Sequence, residues 1–154
     1  MSLTLTTSAF TPQGTIPEKF SRDGENVSPA LNWRGAPAGT RSYALVVEDP
    51  DAPARTFRHW AVYNIEPDIA RLAEGAGSGG RGGSMRTATN DFGNMRYDGP
   101  QPPRGHGPHH YHFELFALDV ADLELPARAS AEDVLAAARR HALAVAEAIG
   151  TFER

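Results

Sequence analysis

Hydrophobic and polar positions divide the chain into short strand-like segments separated by loops. From Leu3 to Thr7 they alternate, which is the two-residue period of a half-buried strand. Continuous β-branched and aromatic runs at 43–47 and 60–65 predict two buried strands. Alternation returns from His110 to Leu118 and predicts a longer strand. Because irregular connections rather than helices join these segments, the pattern favours an antiparallel sheet.

One long helix is predicted near the C-terminus, over 131–149. Ser130 is a favourable N-cap, and Asp133 three residues later resembles a capping box. Gly150 is placed to end the helix. An apolar stripe at helical spacing, typical of core packing, comprises Leu135, Ala138, Ala142, Val145 and Ile149.

The predicted fold class is mainly β (α+β), as a single domain over residues 1–154. A chain of 154 residues fits one domain, and 15 Gly and 12 Pro argue against a helical bundle. The glycine-rich run at 75–83 lacks the Lys and Ser/Thr of a phosphate loop, and no helical pattern follows it. We therefore expect a flexible surface loop there.

Charge and composition exclude several function classes. Fifteen Lys and Arg against 19 Asp and Glu give a net charge of −4, without the basic footprint that nucleic acids require. The absence of cysteine excludes disulfides, thiolate metal sites and a cysteine nucleophile. The N-terminus lacks a signal-peptide pattern, and no stretch reaches the ~18–20 apolar residues of a membrane span. We expect a soluble, cytoplasmic protein without stable membrane insertion.

Two stiff polar segments are the candidates for a site. Residues 49–53 form an acidic corner, Asp-Pro-Asp-Ala-Pro, at the end of a predicted strand. Residues 99–111 combine prolines, which fix φ, with glycines, which allow unusual conformations, around several histidines. Stiff backbone beside polar side chains is typical of a preformed site for a small ligand.

Strand alternation separates the clustered histidines into two sets. His109 and Tyr111 share a face with apolar positions, so they lie at the core side, where they can meet His59 and the acidic corner of Asp49 and Asp51. On the other face, three residues have the spacing to bind a metal from one strand, although such alternation also fits a solvent-facing surface: His110, His112 and Glu114.

Several blocks in order along the chain resemble the phosphatidylethanolamine-binding protein family, in its bacterial Raf-kinase-inhibitor-like branch. They include residues 23–29, Asp-Gly-Glu-Asn-Val-Ser-Pro, the corner at 49–53, and His-Trp at 59–60. The glycine- and proline-rich block at 99–111 and the C-terminal Gly-Thr-Phe-Glu-Arg also fit. One departure is His110, where the family commonly has arginine; this residue points away from His109, so the pocket should be retained.

The resemblance implies a central antiparallel sheet with a smaller sheet and helices, and a small anion-binding pocket. Carried over by position, the ligand-binding residues are Asp49, Asp51, His59, Pro103, Gly107, His109 and Tyr111. The family binds phosphate-like anions and phospholipid headgroups, often as a homodimer in bacteria, and some members inhibit kinases. We expect no cofactor and no bound metal.

The sequence therefore predicts a non-enzymatic protein that binds a phosphate-like anion, on a small ligand or on a phosphorylated residue of a protein partner. A nearby carboxylate favours imidazolium, which donates charge-assisted hydrogen bonds to phosphate. An aspartate could accept from a protonated phosphate oxygen. The alternative is a hydrolase using Asp49, His59 and His109, or a metalloenzyme using the opposite face; no nucleophile with its own base supports it.

Overall fold

The computed structural model describes residues 2–78 and 84–154. Within these ranges the chain forms eight strands, a 3₁₀ turn at Glu18–Phe20 and one α-helix. In chain order the elements are β1 (Thr4–Thr6), β2 (Leu31–Arg34), β3 (Ser42–Asp49), β4 (Phe57–Ile65), β5 (Arg71–Leu72), β6 (Arg86–Thr87), β7 (His109–Leu118), α1 (Ala131–His141) and β8 (Ala142–Phe152).

The strands form two antiparallel sheets. The smaller sheet has the order β1-β2-β5, and the larger has the order β6-β4-β3-β7-β8. The prediction of a mainly β fold with a central antiparallel sheet and a smaller one is confirmed. Each predicted strand is present, with its ends shifted by a few residues.

The large sheet is buried on both faces at its centre. One face packs on the smaller sheet through residues such as Leu45, Trp60 and Phe113. The other packs on α1 through Val46, Ala61 and their neighbours. This three-layer arrangement explains why β3 and β4 are almost continuously apolar, because a strand covered on both faces has no solvent-facing positions.

The predicted helix over 131–149 is wrong in its second half. The N-terminal prediction is confirmed, since Ser130 Oγ accepts from the Asp133 N–H at 3.1 Å and the Asp133 carboxylate accepts from the Ser130 N–H. After His141, however, the chain continues as β8, paired with β7 over its whole length. The alanine-rich sequence favours a helix locally, but the ladder to β7 overrides this propensity.

The change of structure gives two residues of the predicted stripe and cap, Val145 and Gly150, other roles. Val145 is 52% exposed rather than packed in the core. Gly150 does not end a helix; it lies in β8 where Ile16 and Phe10 leave no room for a side chain. A built Cβ would stand 2.6 Å from Ile16 Cγ1 and 2.8 Å from Phe10 Cε1.

The glycine-rich segment at 75–83 is only partly described, because residues 79–83 lie outside the described ranges. Its first part is fixed by packing. The Gly77 N–H donates to Ser28 Oγ at 2.8 Å, and the Gly77 carbonyl accepts from the Tyr97 N–H at 2.7 Å. Among the described residues no helix is both long and apolar enough to cross a membrane.

The close contact at Gly150 predicts a stability effect. Gly150→Ala should lower the free energy of unfolding by about 1–3 kcal/mol, because the added methyl overpacks the contact with Ile16 and Phe10. Denaturant unfolding measures the difference. The control Glu153→Ala, at an exposed position nearby, should change it by less than about 0.5 kcal/mol. Equal stability of the two variants would contradict the assigned packing of β8.

Candidate functional site

Three strand ends bring the candidate residues together. β3 lies between β4 and β7 and runs antiparallel to both, so its C-terminal end is beside the beginnings of its neighbours. Asp49 ends β3, His59 follows the first residues of β4, and His109 and Tyr111 begin β7. The predicted meeting of the acidic corner with the histidine block is therefore what the sheet topology produces.

A cavity of about 180 Å³ lies at this convergence. Five of the seven predicted ligand-binding residues line it, together with aromatic, proline and glutamine side chains. The lining residues are Asp49, Ala52, Pro53, Phe57, His59, Phe92, Gln101, Pro102, Pro103, His109 and Tyr111. The Ala52–Pro53 bond, whose isomer the sequence left open, is trans.

A chain of three side chains forms the most polar part of the site. His109 is 1% exposed, and its Nδ1 lies 2.6 Å from Asp49 Oδ2, which is also buried. The other ring nitrogen, Nε2, lies 2.6 Å from Nδ1 of His106. Asp49 Oδ1 accepts from the Asp51 N–H at 2.8 Å, so both oxygens of this carboxylate are hydrogen bonded.

His106 was not among the predicted site residues. It lies in an exposed loop, and its Nδ1 contacts Nε2, the second ring nitrogen of His109. Gly105 and Gly107 flank it with φ of +73° and +83°, and open space surrounds both, so here glycine is required for conformation rather than for room. Membership of the histidine cluster was the only sequence signal for it.

His59 is held by its backbone-facing nitrogen. Nδ1 lies 2.8 Å from the Asp98 carbonyl oxygen, which can only accept, so Nδ1 carries the proton. The ring packs edge-on against Phe57, Phe92 and Tyr111 at centroid distances of 5.0, 5.5 and 5.2 Å. Burial lowers the pKa of His59, although the Asp98 carbonyl and the Asp49 charge oppose the shift. At His59 the effect of burial on the pKa therefore exceeds that of the nearby carboxylate, which by itself would favour imidazolium.

Tyr111 brings a hydroxyl that the fold does not satisfy. The residue is 1% exposed, and its Oη has no hydrogen-bond partner among the described residues. Burial, and then the Asp49 charge, raise the pKa of Tyr111, so the hydroxyl keeps its proton and remains a donor. A buried donor without a partner is destabilising and is common where a ligand or water completes the site.

Asp98 anchors the wall behind His59 and was also missed. Its side chain is 0% exposed and accepts hydrogen bonds from Asn26, Asn90, Asn94 and Arg96. Burial opposes ionisation, but these bonds hold the pKa of Asp98 below its usual value. Fixing Asp98 fixes the carbonyl that orients His59.

Arg22 lies behind the cavity wall, where the sequence suggested no basic residue. Its guanidinium stacks on Phe92 at 4.1 Å from the ring centroid and donates to Gln101 Oε1 at 3.1 Å. Both contacted residues line the cavity, whereas Arg22 itself does not. No pattern in the sequence indicates this contact, because Arg22 is remote from both polar segments.

Asp51 and Gly107 do not lie on the cavity wall. Asp51 turns to the opposite side, where its Oδ2 accepts from the His110 N–H at 2.7 Å and lies 2.8 Å from His110 Nδ1. It therefore ties the acidic corner to the start of β7 instead of facing the cavity. Gly107 acts through the loop conformation that places His106 and His109.

The alternative metal-binding face is divided among separate partners. His110 contacts Asp51, His112 Nδ1 lies 2.9 Å from Glu147 Oε2, and Glu114 lies beside Glu48. Within residues 2–78 and 84–154, no group of three or more histidine and acidic side chains is arranged to hold a metal ion. The three residues share a strand face without converging on one point.

A second, larger cavity of about 290 Å³ lies between β1 and β8. It is lined mainly by apolar and threonine side chains, with Gln13 and Glu147 at its edge. None of the predicted ligand-binding residues lines it. The smaller cavity remains the candidate site, because it joins buried titratable groups from three strands.

Glu114 predicts a pH-dependent stability that is independent of the cavity. Burial, and then the Glu48 carboxyl, raise the pKa of Glu114 to about 8. The native state therefore holds a proton that the unfolded state has released between about pH 4.5 and 8, and stability falls as pH rises through this window.

Glu114→Gln should raise the free energy of unfolding at pH 8.5 by about 1–3 kcal/mol, because the amide carries no charge to bury. The gain should fade towards pH 4.5. Urea unfolding at both pH values measures it, with Glu153→Gln as the exposed control. A gain that is the same at both pH values would show that Glu114 is not held in its protonated form.

Comparisons with known proteins agree with this architecture over nearly the whole chain. The sequence profile described as phosphatidylethanolamine-binding protein matches residues 6–153. A UPF0098 protein of Methanothermobacter thermautotrophicus is 44% identical over 154 residues, which are 99% of this chain and 99% of that protein. LppC of Mycobacterium tuberculosis, a lipoprotein by name, is 40% identical over 151 residues, 98% of this chain and 72% of that protein.

Two solved structures share the fold. YbcL of E. coli, described as a new member of the mammalian PEBP family, superposes with a TM-score of 0.95 at 29% identity and covers 100% of this chain and 99% of its own. CT736 of Chlamydia trachomatis, described as a PEBP homologue, gives 0.87 at 35% identity with 99% and 98% covered. The family resemblance stated from the sequence is confirmed.

Proposed function

The chain belongs to the phosphatidylethanolamine-binding protein family, and from that premise we propose that it is a non-enzymatic protein that binds a phosphate-like group in the 180 Å³ cavity. The group is free phosphate or the phosphate of a small ligand such as a lipid headgroup. The observation that carries the proposal is the unpartnered Tyr111 hydroxyl on the wall shared with His59 and His109.

The composition of the wall supports binding of a small polar group with an apolar attachment. Phe57, Phe92 and Pro102 contribute apolar surface, while the histidines and the tyrosine contribute directional hydrogen bonds. Pockets with mostly apolar walls and a few fixed polar groups are typical of small-ligand sites. The volume is sufficient for a phosphate and a few carbon atoms, rather than for a whole lipid.

The same wall gives little support to the alternative hydrolase. Asp49 and His109 resemble the carboxylate–imidazole pair of a catalytic triad, but the position beyond the imidazole is taken by His106, not by a hydroxyl or thiol. The described residues lining the cavity include no serine, threonine, cysteine or lysine. The described wall therefore has groups that can bind a ligand, whereas catalysis would also need a nucleophile that these lining residues do not supply.

Substitution of the buried pair tests the proposal. His109→Ala and Asp49→Ala should each weaken binding of inorganic phosphate by at least about tenfold, because each removes a charge-assisted hydrogen bond or the group that orients it. Calorimetric titration measures the affinity, and circular dichroism checks the fold. The control is His112→Ala, on the same strand but the opposite face, which should bind phosphate as the unmodified protein does.

Histidine NMR signals locate the binding. During titration with phosphate, the ring signals of His59 and His109 should move while those of His141, on α1, remain in place. Unmoved His59 and His109 signals would overturn the proposed site. Equal affinity of His109→Ala and His112→Ala would do the same.

Three further expectations of the family and of the sequence stay predictions. These are a homodimer, a cytoplasmic location, and a protein partner recognised through a phosphorylated residue, as kinase inhibition requires. The lipoprotein name of LppC shows why location is not settled by family membership. Competition between a phosphopeptide and free phosphate is the measurement for the partner.

A further inference from the structure

The hydrogen-bonding capacity left in the cavity is unusual for an anion site. Both oxygens of Asp49 already have a partner, since Oδ1 accepts from the Asp51 N–H and Oδ2 contacts His109 Nδ1 at 2.6 Å. From the sequence, we expect an aspartate to accept a hydrogen bond from a protonated phosphate oxygen. In the structure each Asp49 oxygen already has one partner inside the protein, whereas the ring nitrogen Nε2 of His59 has none among the described residues.

His59 takes the acceptor role instead. Its Nδ1 must carry the proton, since it faces the Asp98 carbonyl, and its ring makes no other hydrogen bond among the described residues. The ring is 4% exposed and packed among Phe57, Phe92 and Tyr111. Burial lowers the pKa of His59 against the opposing charges of Asp49 and Asp98, which favours the neutral ring. Its Nε2 then offers a lone pair, and a ligand must bring a donor to meet it.

A donor on the wall comes from another residue. The Tyr111 hydroxyl is buried, protonated and unpartnered. His109 Nδ1 lies 2.6 Å from the Asp49 carboxylate and carries a proton towards it, while Nε2 is engaged by His106 Nδ1 at 2.6 Å, so in the free protein no N–H of His109 is left for a ligand. The wall therefore presents one acceptor and one donor to a small occupant.

We propose that the pocket selects a phosphate-type group that retains one proton. The P–OH donates to Nε2 of His59, and an ionised oxygen accepts from the Tyr111 hydroxyl. This inference rests on the proposed function and specifies its ligand class as a singly protonated phosphate or phosphate monoester. A fully ionised oxyanion of the same shape would direct an oxygen lone pair at Nε2, which leaves a buried acceptor opposed by another acceptor.

A matched pair of ligands tests the selection. Methyl phosphate and methyl sulfate have the same shape, and at pH 6 about half of the methyl phosphate is a monoanion with a P–OH. Methyl sulfate is a monoanion without a proton to donate. Calorimetry at pH 6 and constant ionic strength should give methyl phosphate at least about tenfold tighter binding.

A variant and a spectroscopic readout assign the effect to His59. His59→Phe should bind the two ligands within about threefold of each other, because the acceptor is removed. His112→Ala should keep the full preference. Since His59 is buried and its substitution can disturb folding, nitrogen NMR of the unmodified protein gives an independent answer. The His59 ring should stay neutral, with Nδ1 protonated, before and after methyl phosphate binds.

The outcomes separate this inference from the proposed function. A tenfold preference with a neutral His59 supports both. Equal binding of the two ligands, or conversion of His59 to imidazolium on binding, overturns the proton-donor requirement and leaves a phosphate-like site. Failure of both ligands to shift the His59 and His109 signals overturns the proposed function, and this inference with it.

Discussion

The hydrogen bond between Asp49 and His109 is the contact on which the site depends. It joins the last residue of β3 to the first residue of β7 at 2.6 Å in a position where both side chains are excluded from solvent. A buried carboxylate or imidazole left without its partner is strongly destabilising. The pair therefore fixes both the acidic corner and the proline-rich loop, and with them the mouth of the cavity. Asp51 adds a second tie between the same segments on the outer side, through His110.

Around this pair, neighbouring backbone and side-chain groups determine the orientation of each polar side chain and whether it donates or accepts a hydrogen bond. The Asp98 carbonyl fixes the tautomer of His59, and four side chains hold Asp98 in turn. The family's frequent arginine is His110 here, yet it contacts Asp51 and stays out of the cavity. Binding of a phosphate-like group then needs no lysine or arginine on the wall. In the proposed site, the contrast between the His59 acceptor and the Tyr111 donor supplies specificity by hydrogen bonding rather than by net charge.

The sequence predicted the strands, the faces of β7 and the meeting of the two polar segments, because alternation and proline–glycine punctuation report local geometry. It could not predict that Ala142–Phe152 is a strand, since alanine-rich chain favours a helix until a long ladder with β7 competes. Nor could it assign Asp51 to the outer side, because alternation ends where the strand ends. His106, Arg22 and Asp98 were missed for a different reason. Their contacts to the site cross loops, where no sequence period applies.

The central claim is that this cavity, framed by Asp49 and His109, holds a tetrahedral oxyanion. Arsenate has the shape of phosphate and retains protons in the same pH range, and arsenic is visible by anomalous scattering. A crystal structure with arsenate at pH 6, recorded at the arsenic absorption edge, tests the claim directly. The account predicts one anomalous peak inside the cavity, within hydrogen-bond distance of His59 Nε2 and Tyr111 Oη. A peak only at another surface, or an empty cavity at saturating arsenate, would contradict it.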